Sequence, residues 1–158
     1  MVISFSLFLV SFFRIFVALL LGSILGIERT FAGKTAGMRT YGLVAMGSCL
    51  FIVVSNLVSL SFIDIASFDP MRVPAGIITG IGFLGAGIIF FRENEPKISG
   101  LTTAAGLWVA CGIGIAIGFG FYEIATFTAI LTFLSFTFLW KIEMLLKSNF
   151  NPRKENND

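Results

Sequence analysis

The chain has 158 residues, of which 56% are hydrophobic and 13% charged, and its net charge is only +2. A soluble domain carries about 25% charged residues, so this composition excludes an ordinary globular protein and leaves no length for a separate soluble domain beside a membrane body. With no His and two Cys, nothing resembles a zinc or transition-metal site, and no cofactor or nucleic-acid partner is expected.

The first apolar segment spans 3–27 and is broken only by Arg14. The thirteen residues after Arg14 are too few to cross a bilayer, so the arginine must lie inside the crossing. At 1.5 Å per residue it falls roughly 16 Å below Ile3, near mid-membrane. An arginine there costs at least about 2.5 to 3.5 kcal/mol on an insertion scale and needs a partner. Helix carbonyls or the side chains of Ser48, Ser55, Asn56 or Thr79 could serve; snorkelling outward is the alternative. The segment starts uncharged and ends in "GIER", which fits a retained helix better than a cleaved signal peptide.

Next comes a polar stretch with Glu28, Arg29, Lys34, Arg39 and Thr40. It could dock a partner or lipid head groups, but plain inside-positive anchors explain it more simply. Uncharged runs then follow at 40–63, 73–91, 98–122 and 124–140, of 24, 19, 25 and 17 residues. Each is long enough for one crossing, giving five transmembrane helices over 1–143 and a polar cytoplasmic tail at 144–158, expected to be disordered.

Between the second and third spans, Asp69 can cap the third helix or pair with Arg72, and Pro74 suits its first turn. A hard cation would find its oxygen ligands among Asp64, Asp69 and Glu123, a weak metal candidate set. The third span holds "GIGFLG", in which Gly80, Gly82 and Gly85 match a dinucleotide-binding spacing. That motif requires a strand entering a soluble helix and an acidic residue about 20 positions on, and neither is present. The glycines instead suit close helix packing. Gly76, Gly80 and Gly87 form one arc and Ala75, Gly82, Gly85 and Ala86 another. On the fourth span, Gly112, Ala116 and Gly120 recur every fourth residue, as do Gly106, Ala110, Gly114 and Gly118. Helices three and four are therefore expected to form the tight centre, with Trp108 in the core. A broken third helix lining an ion cavity is the minority alternative. Ser99, Thr102 and Thr103 are placed to satisfy orphan amides at the start of the fourth helix.

Basic residues set the orientation. Five crossings put Arg29, Lys34, Arg39, Arg92, Lys97, Lys141, Lys147, Arg153 and Lys154 on one face and Arg72 alone on the other. The amino terminus is then outside and the carboxyl terminus cytoplasmic.

The stretches "LGSILGIER", "KTAGMRTYGLVAMGSCLF", "DPMRVPAGIITGIGFLGAGIIF" and "GLTTAAGLWVACGIGIAIGFGFY" resemble, in order and spacing, the MgtC/SapB family of bacterial inner-membrane proteins. The resemblance covers about residues 10 to 143 and concerns the membrane domain alone; with a chain ending in "KSNFNPRKENND", the SapB-like members without a soluble carboxyl-terminal domain are the nearer comparison. It implies a non-enzymatic regulator of other membrane machinery, linked to low magnesium or stress, with the proton-driven ATP synthase as one implied partner and self-association expected. An inner-membrane location is implied, with an organellar membrane of bacterial ancestry as the variant. It marks Arg14, Glu28, Arg29, Gly37, Arg39, Thr40, Asp69, Arg72, Gly80, Gly82, Phe83, Gly85, Gly87, Gly100, Thr103 and Trp108 as motif positions. A magnesium or small-ion carrier with a path between helices three and four is the alternative. The absence of Asp or Glu within the expected hydrocarbon, and the presence of Arg14 there, weigh against it.

Overall fold

The computed structural model describes residues 5–60, 69–91 and 98–150. Helix α1 spans Phe5–Phe31, α2 Met38–Ser59, α3 Arg72–Ile88 and α4 Leu101–Phe119. A last rod follows as α5 (Tyr122–Leu134), a π-helical turn (Ser135–Leu139) and α6 (Trp140–Phe150). Two short strands, β1 (Phe90–Phe91) and β2 (Ile98–Ser99), pair antiparallel between α3 and α4. Lipid offers no partner to backbone amides and carbonyls, so long apolar segments close their hydrogen bonds internally as helices.

Four of the five described rods are long and apolar enough to cross a membrane: Phe5–Phe31, Met38–Ser59, Leu101–Phe119 and Tyr122–Lys147. The 17-residue α3 is shorter, about 26 Å, because the chain turns extended at Ile89 and enters β1. The protein is an all-α polytopic membrane protein. The last rod continues to Phe150, so residues 144–150 are helical rather than part of a loose tail; 151–158 lie outside the described residues.

Short connections fix the helix ends. Thr30 Oγ1 donates to the Gly26 carbonyl at 3.0 Å and accepts the Met38 amide at 2.9 Å, tying the end of α1 to the start of α2. At the other end of the bundle, Gly120 takes φ +92. Its amide reaches the Ile117 carbonyl and the Phe121 amide reaches that of Ala116, both at 2.9 Å. This double closure needs a left-handed residue that only glycine adopts cheaply.

The tight centre lies among α1, α2 and α4, which corrects the expectation that α3 and α4 form it. A Cβ on Gly22 would stand 2.6 Å from the Tyr41 carbonyl oxygen and 2.7 Å from Ala45 Cβ. One on Gly118 would stand 2.6 Å from Ile52 Cβ, and one on Gly114 would strike the Ala45 carbonyl. The core is built from Ala18 and Leu25 of α1, Tyr41, Ala45, Cys49 and Ile52 of α2, and Leu107, Ala110, Ile113 and Ile117 of α4. Cys49 and Cys111 are buried free thiols.

Helix α3 touches this body along one line only, burying Pro74 and Ile81. Among the described residues, Gly76, Gly80, Gly82 and Gly87 have nothing within 4 Å of a Cβ position, and Gly85 meets only Ala104 at 3.7 Å. Gly112 on α4 is equally open. Close packing within the chain therefore does not explain these six glycines. Helix α3 is also unbroken from Arg72 to Ile88, unlike the discontinuous helix that the ion-cavity alternative requires.

Candidate functional site

The basic end of the bundle gathers Glu28, Arg29 and Arg39, half of the charged motif residues. Helix α1 runs beyond the last uncharged position, so Arg29 sits inside it and is only 4% exposed. Its Nε pairs with the Glu28 carboxylate. Its guanidinium lies 3.9 Å from the ring centre of Phe136, a cation–π contact, and Nη2 donates to the Phe136 carbonyl at 3.5 Å. Phe136 belongs to the π-helical turn. Such a turn departs from the regular helical ladder and recurs at functional sites.

The pocket for this group is made by a missing side chain. A Cβ on Gly106 would meet the Tyr41 hydroxyl and stand 2.6 Å from Phe136 Cζ. Tyr41 is wholly buried, stacks edge-on against Phe136 at 6.2 Å and donates its hydroxyl to the Thr103 carbonyl at 3.3 Å. Arg29 thus binds the end of α1 to the last rod across α4, with Tyr41 of α2 closing the same cluster. Arg29 is thus no plain inside-positive anchor. Gly106 stood in the every-fourth-residue series of the fourth span, while Tyr41 and Phe136 carried no expectation.

Outward from Arg29 opens a cleft of about 930 Å³ between α4 and the last rod, with Glu28, Lys34 and Glu143 among its lining. Thr102, Thr128, Thr132 and Ser135 also line it and supply hydroxyls. Glu143 is paired with Lys147. Thr103 is buried and contributes its carbonyl to Tyr41. The expected hydroxyl caps are not what starts α4, because Gly100 at φ +92 precedes the helix with no side-chain cap.

At the opposite end, Arg14 Nη1 donates to the Gly118 carbonyl at 2.8 Å, and its Nε is buried without a partner among the described residues. Arg14 therefore meets the last turn of α4, where the helix dipole is negative and carbonyls lack helical partners. It sits level with the end of α4 rather than halfway along it, and a helix carbonyl is its partner, as the sequence allowed. Asp69 Oδ1 accepts the Met71 amide at 2.9 Å in the turn before α3, while Arg72 opens that helix. Glu123 lies in the first turn of α5. Among the described residues no three His, Cys, Asp or Glu side chains come together around a metal position, and Asp64 lies outside them, as do Arg92 and Lys97. Trp108 is 56% exposed on the outside of α4, contrary to the core position expected. Arg39 and Thr40 are exposed in the first turn of α2.

Comparison with known proteins agrees with this architecture. SrpB of Synechococcus elongatus is 40% identical over 147 residues, covering 86% of this chain and 80% of that protein. YhiD of Escherichia coli K12, whose name carries the provisional label of magnesium transporter, is 42% identical over 123 residues, or 77% of this chain and 56% of its own length. MgtC of Brucella abortus (strain 2308) is 49% identical over 88 residues, which are 56% of this chain and 34% of the relative. The chain therefore spans little more than half of YhiD and about a third of that MgtC. No solved structure matches the chain. The family model described as MgtC family matches residues 15–145, and with it the chain belongs to the MgtC family of membrane proteins.

Proposed function

We propose that this protein is a non-enzymatic regulator in the bacterial inner membrane that acts by laying α3 against a helix of other membrane machinery during adaptation to low magnesium or stress. The observation that carries the reading is the exposure of α3. Phe83 is 81% exposed, and Gly80, Gly82 and Gly87 around it carry no neighbour within 4 Å of a Cβ position. Beside Phe83, Ala75, Thr79, Gly82 and Ala86 share one exposed stripe. In lipid no hydrophobic force gathers helices, and small residues that let backbones touch supply the contact. An aromatic projecting from such a surface is an anchor for a partner helix. The partner is another integral membrane protein, the ATP synthase being the one the family resemblance suggests, or a second copy of this chain.

The test places a photocrosslinking residue at position 83 in native membranes. The expected result is one defined adduct with a membrane protein, lost in Gly82→Leu. Adducts with lipid alone, or adducts unchanged by Gly82→Leu, refute the reading. Magnesium transport, the label carried by YhiD, is the second reading, and the hydroxyl-lined cleft beside Arg29 favours it. That cleft lies between α4 and the last rod rather than between helices three and four. Saturable magnesium flux into liposomes holding the purified protein would replace the regulator with a carrier.

A further inference from the structure

A second large opening, about 940 Å³, runs between α2 and α3. Its walls carry Leu43, Phe51, Ile77, Ile81 and Leu84, and Arg39 stands at one end. It exists because side chains are missing: Gly47, Gly76 and Gly80 line it, and a Cβ on any of them would meet nothing within 4 Å. The floor is polar but self-contained. Ser48 Oγ donates to the Val44 carbonyl at 2.9 Å and lies 3.3 Å from Cys111 Sγ, so no buried donor there waits for a hydrophilic ligand.

We infer that this groove binds one anionic phospholipid of the cytoplasmic leaflet, with its phosphate at Arg39 and its acyl chains along α2 and α3. Three observations support the assignment. Leu43, Phe51 and Leu84 on its walls are each more than half exposed, and hydrocarbon must fill an apolar cavity left open along membrane-spanning helices. Arg39 to Phe51 spans twelve residues of α2, about 18 Å, close to the roughly 15 Å of hydrocarbon in one leaflet. Arg39 stands at the end that the basic-residue asymmetry assigns to the cytoplasm, where anionic head groups collect. Among the described residues no carboxylate pairs with it.

The charge selects against a helix from a second copy: its uncharged runs at 40–63, 73–91, 98–122 and 124–140 would lay no anion beside Arg39, whereas a phospholipid brings its phosphate there. The groove lies on the Gly76 and Gly80 side of α3 and adjoins the Ala75, Gly82 and Ala86 stripe across Phe83. Retained lipid reads the groove and the position-83 adduct reads the stripe, so failure of one is distinguishable from failure of the other.

The experiment uses the full chain purified in micelles containing equal amounts of phosphatidylglycerol and phosphatidylcholine, with native mass spectrometry counting the lipid retained per protein. The wild type is expected to keep one phosphatidylglycerol with about fivefold preference, the factor that corresponds to one cation near an anionic head group. Arg39→Gln should bring the preference close to one. The double variant Gly47→Leu/Gly80→Leu puts side chains into the groove at positions where a Cβ meets nothing within 4 Å and should lose retained lipid of both kinds, as should Gly76→Leu alone. Retention unaltered in the groove-filled variants, or a wild type indifferent to the head group, overturns the inference. Loss of a dimer without loss of lipid in those variants overturns it too, and assigns the groove to a second copy.

Discussion

Glycines on α1 and α3 look alike in sequence but have opposite surroundings, and alanine substitution separates them. At Gly22 the added methyl would lie 2.6 Å from a backbone oxygen and 2.7 Å from Ala45 Cβ. Neither atom can rotate aside, so α1 must withdraw from α2 by something near an ångström. Gly26, one turn along, holds the same interface at 2.5 Å from Met38 Cα, so the withdrawal cannot stay local. Overpacking of this kind costs about 1 to 3 kcal/mol, offset by at most about 1 kcal/mol from alanine's better helix propensity. Gly22→Ala should therefore lower stability by about 1 to 2 kcal/mol, a fall of about 2 to 8 °C for a chain of this size. Gly82→Ala meets nothing and should melt with the wild type or slightly above it. The protein supplies its own probe, because its two cysteines are both buried and free. A dye that fluoresces on reaction with thiols reports their exposure as micelle-bound protein is heated. A Gly22→Ala melting point equal to the wild type, together with a fall for Gly82→Ala, would refute the assignment of the tight centre to α1, α2 and α4.

Arg29→Gln leaves Glu28 without its cation and Phe136 without its stacked guanidinium. The same thermal assay should show a loss of about 2 kcal/mol, short of the 3 to 5 typical of fully buried pairs because the Glu28 side chain is 20% exposed. Arg29→Lys should not restore stability, since an ammonium lacks the planar face that lies on the ring. Arg14→Ala removes a charged donor from the last turn of α4. Amide exchange should accelerate by about tenfold within residues 116–121 and nowhere else, matching a charged hydrogen bond worth about 1.5 kcal/mol; uniform acceleration contradicts the capping role. With Trp140 changed to Phe, Trp108 is the remaining tryptophan, and phospholipids brominated along their acyl chains should quench it strongly. Emission indifferent to brominated lipid would return Trp108 to the core.

The helix count was legible because water and lipid sort charge from hydrocarbon without regard to what the helices do next. Runs bounded by charged residues marked five rods, and structure finds them, with α3 shortened by the turn at Ile89. What a helix touches was less legible. The densest glycines are on α3, and the sequence reading placed the tight centre there; yet a small side chain permits close approach without compelling it, and the contacts formed at Gly22 and Gly26 instead. The spacing "GSILG" in α1 carried that signal, though no more strongly than a dozen others. Trp108 had no signal at all, since α4 is apolar around its whole circumference and offers no polar face to mark the outside.

Arg14 and Arg29 show why arithmetic along one helix does not reveal what a buried charge touches. Counting along α1 put Arg14 at mid-membrane, but its surroundings depend on where α4 ends. Gly118 packs beside Cys49 and Ile52, leaving α2 to continue through Ser59, about 10 Å further. The arginine therefore meets exposed carbonyls at a helix terminus, a setting its own neighbours in sequence cannot report. Arg29 errs in the other direction: it borders the loop in sequence and looks solvated, but an aromatic ring 107 positions later covers it. In both cases the chain contributes a cation, and a distant helix irregularity, a terminus for Arg14 and a π-helical turn for Arg29, supplies a carbonyl acceptor, which for Arg29 adds to its pairing with Glu28. A membrane bundle has few polar side chains to offer, so irregular backbone is where its buried cations find partners.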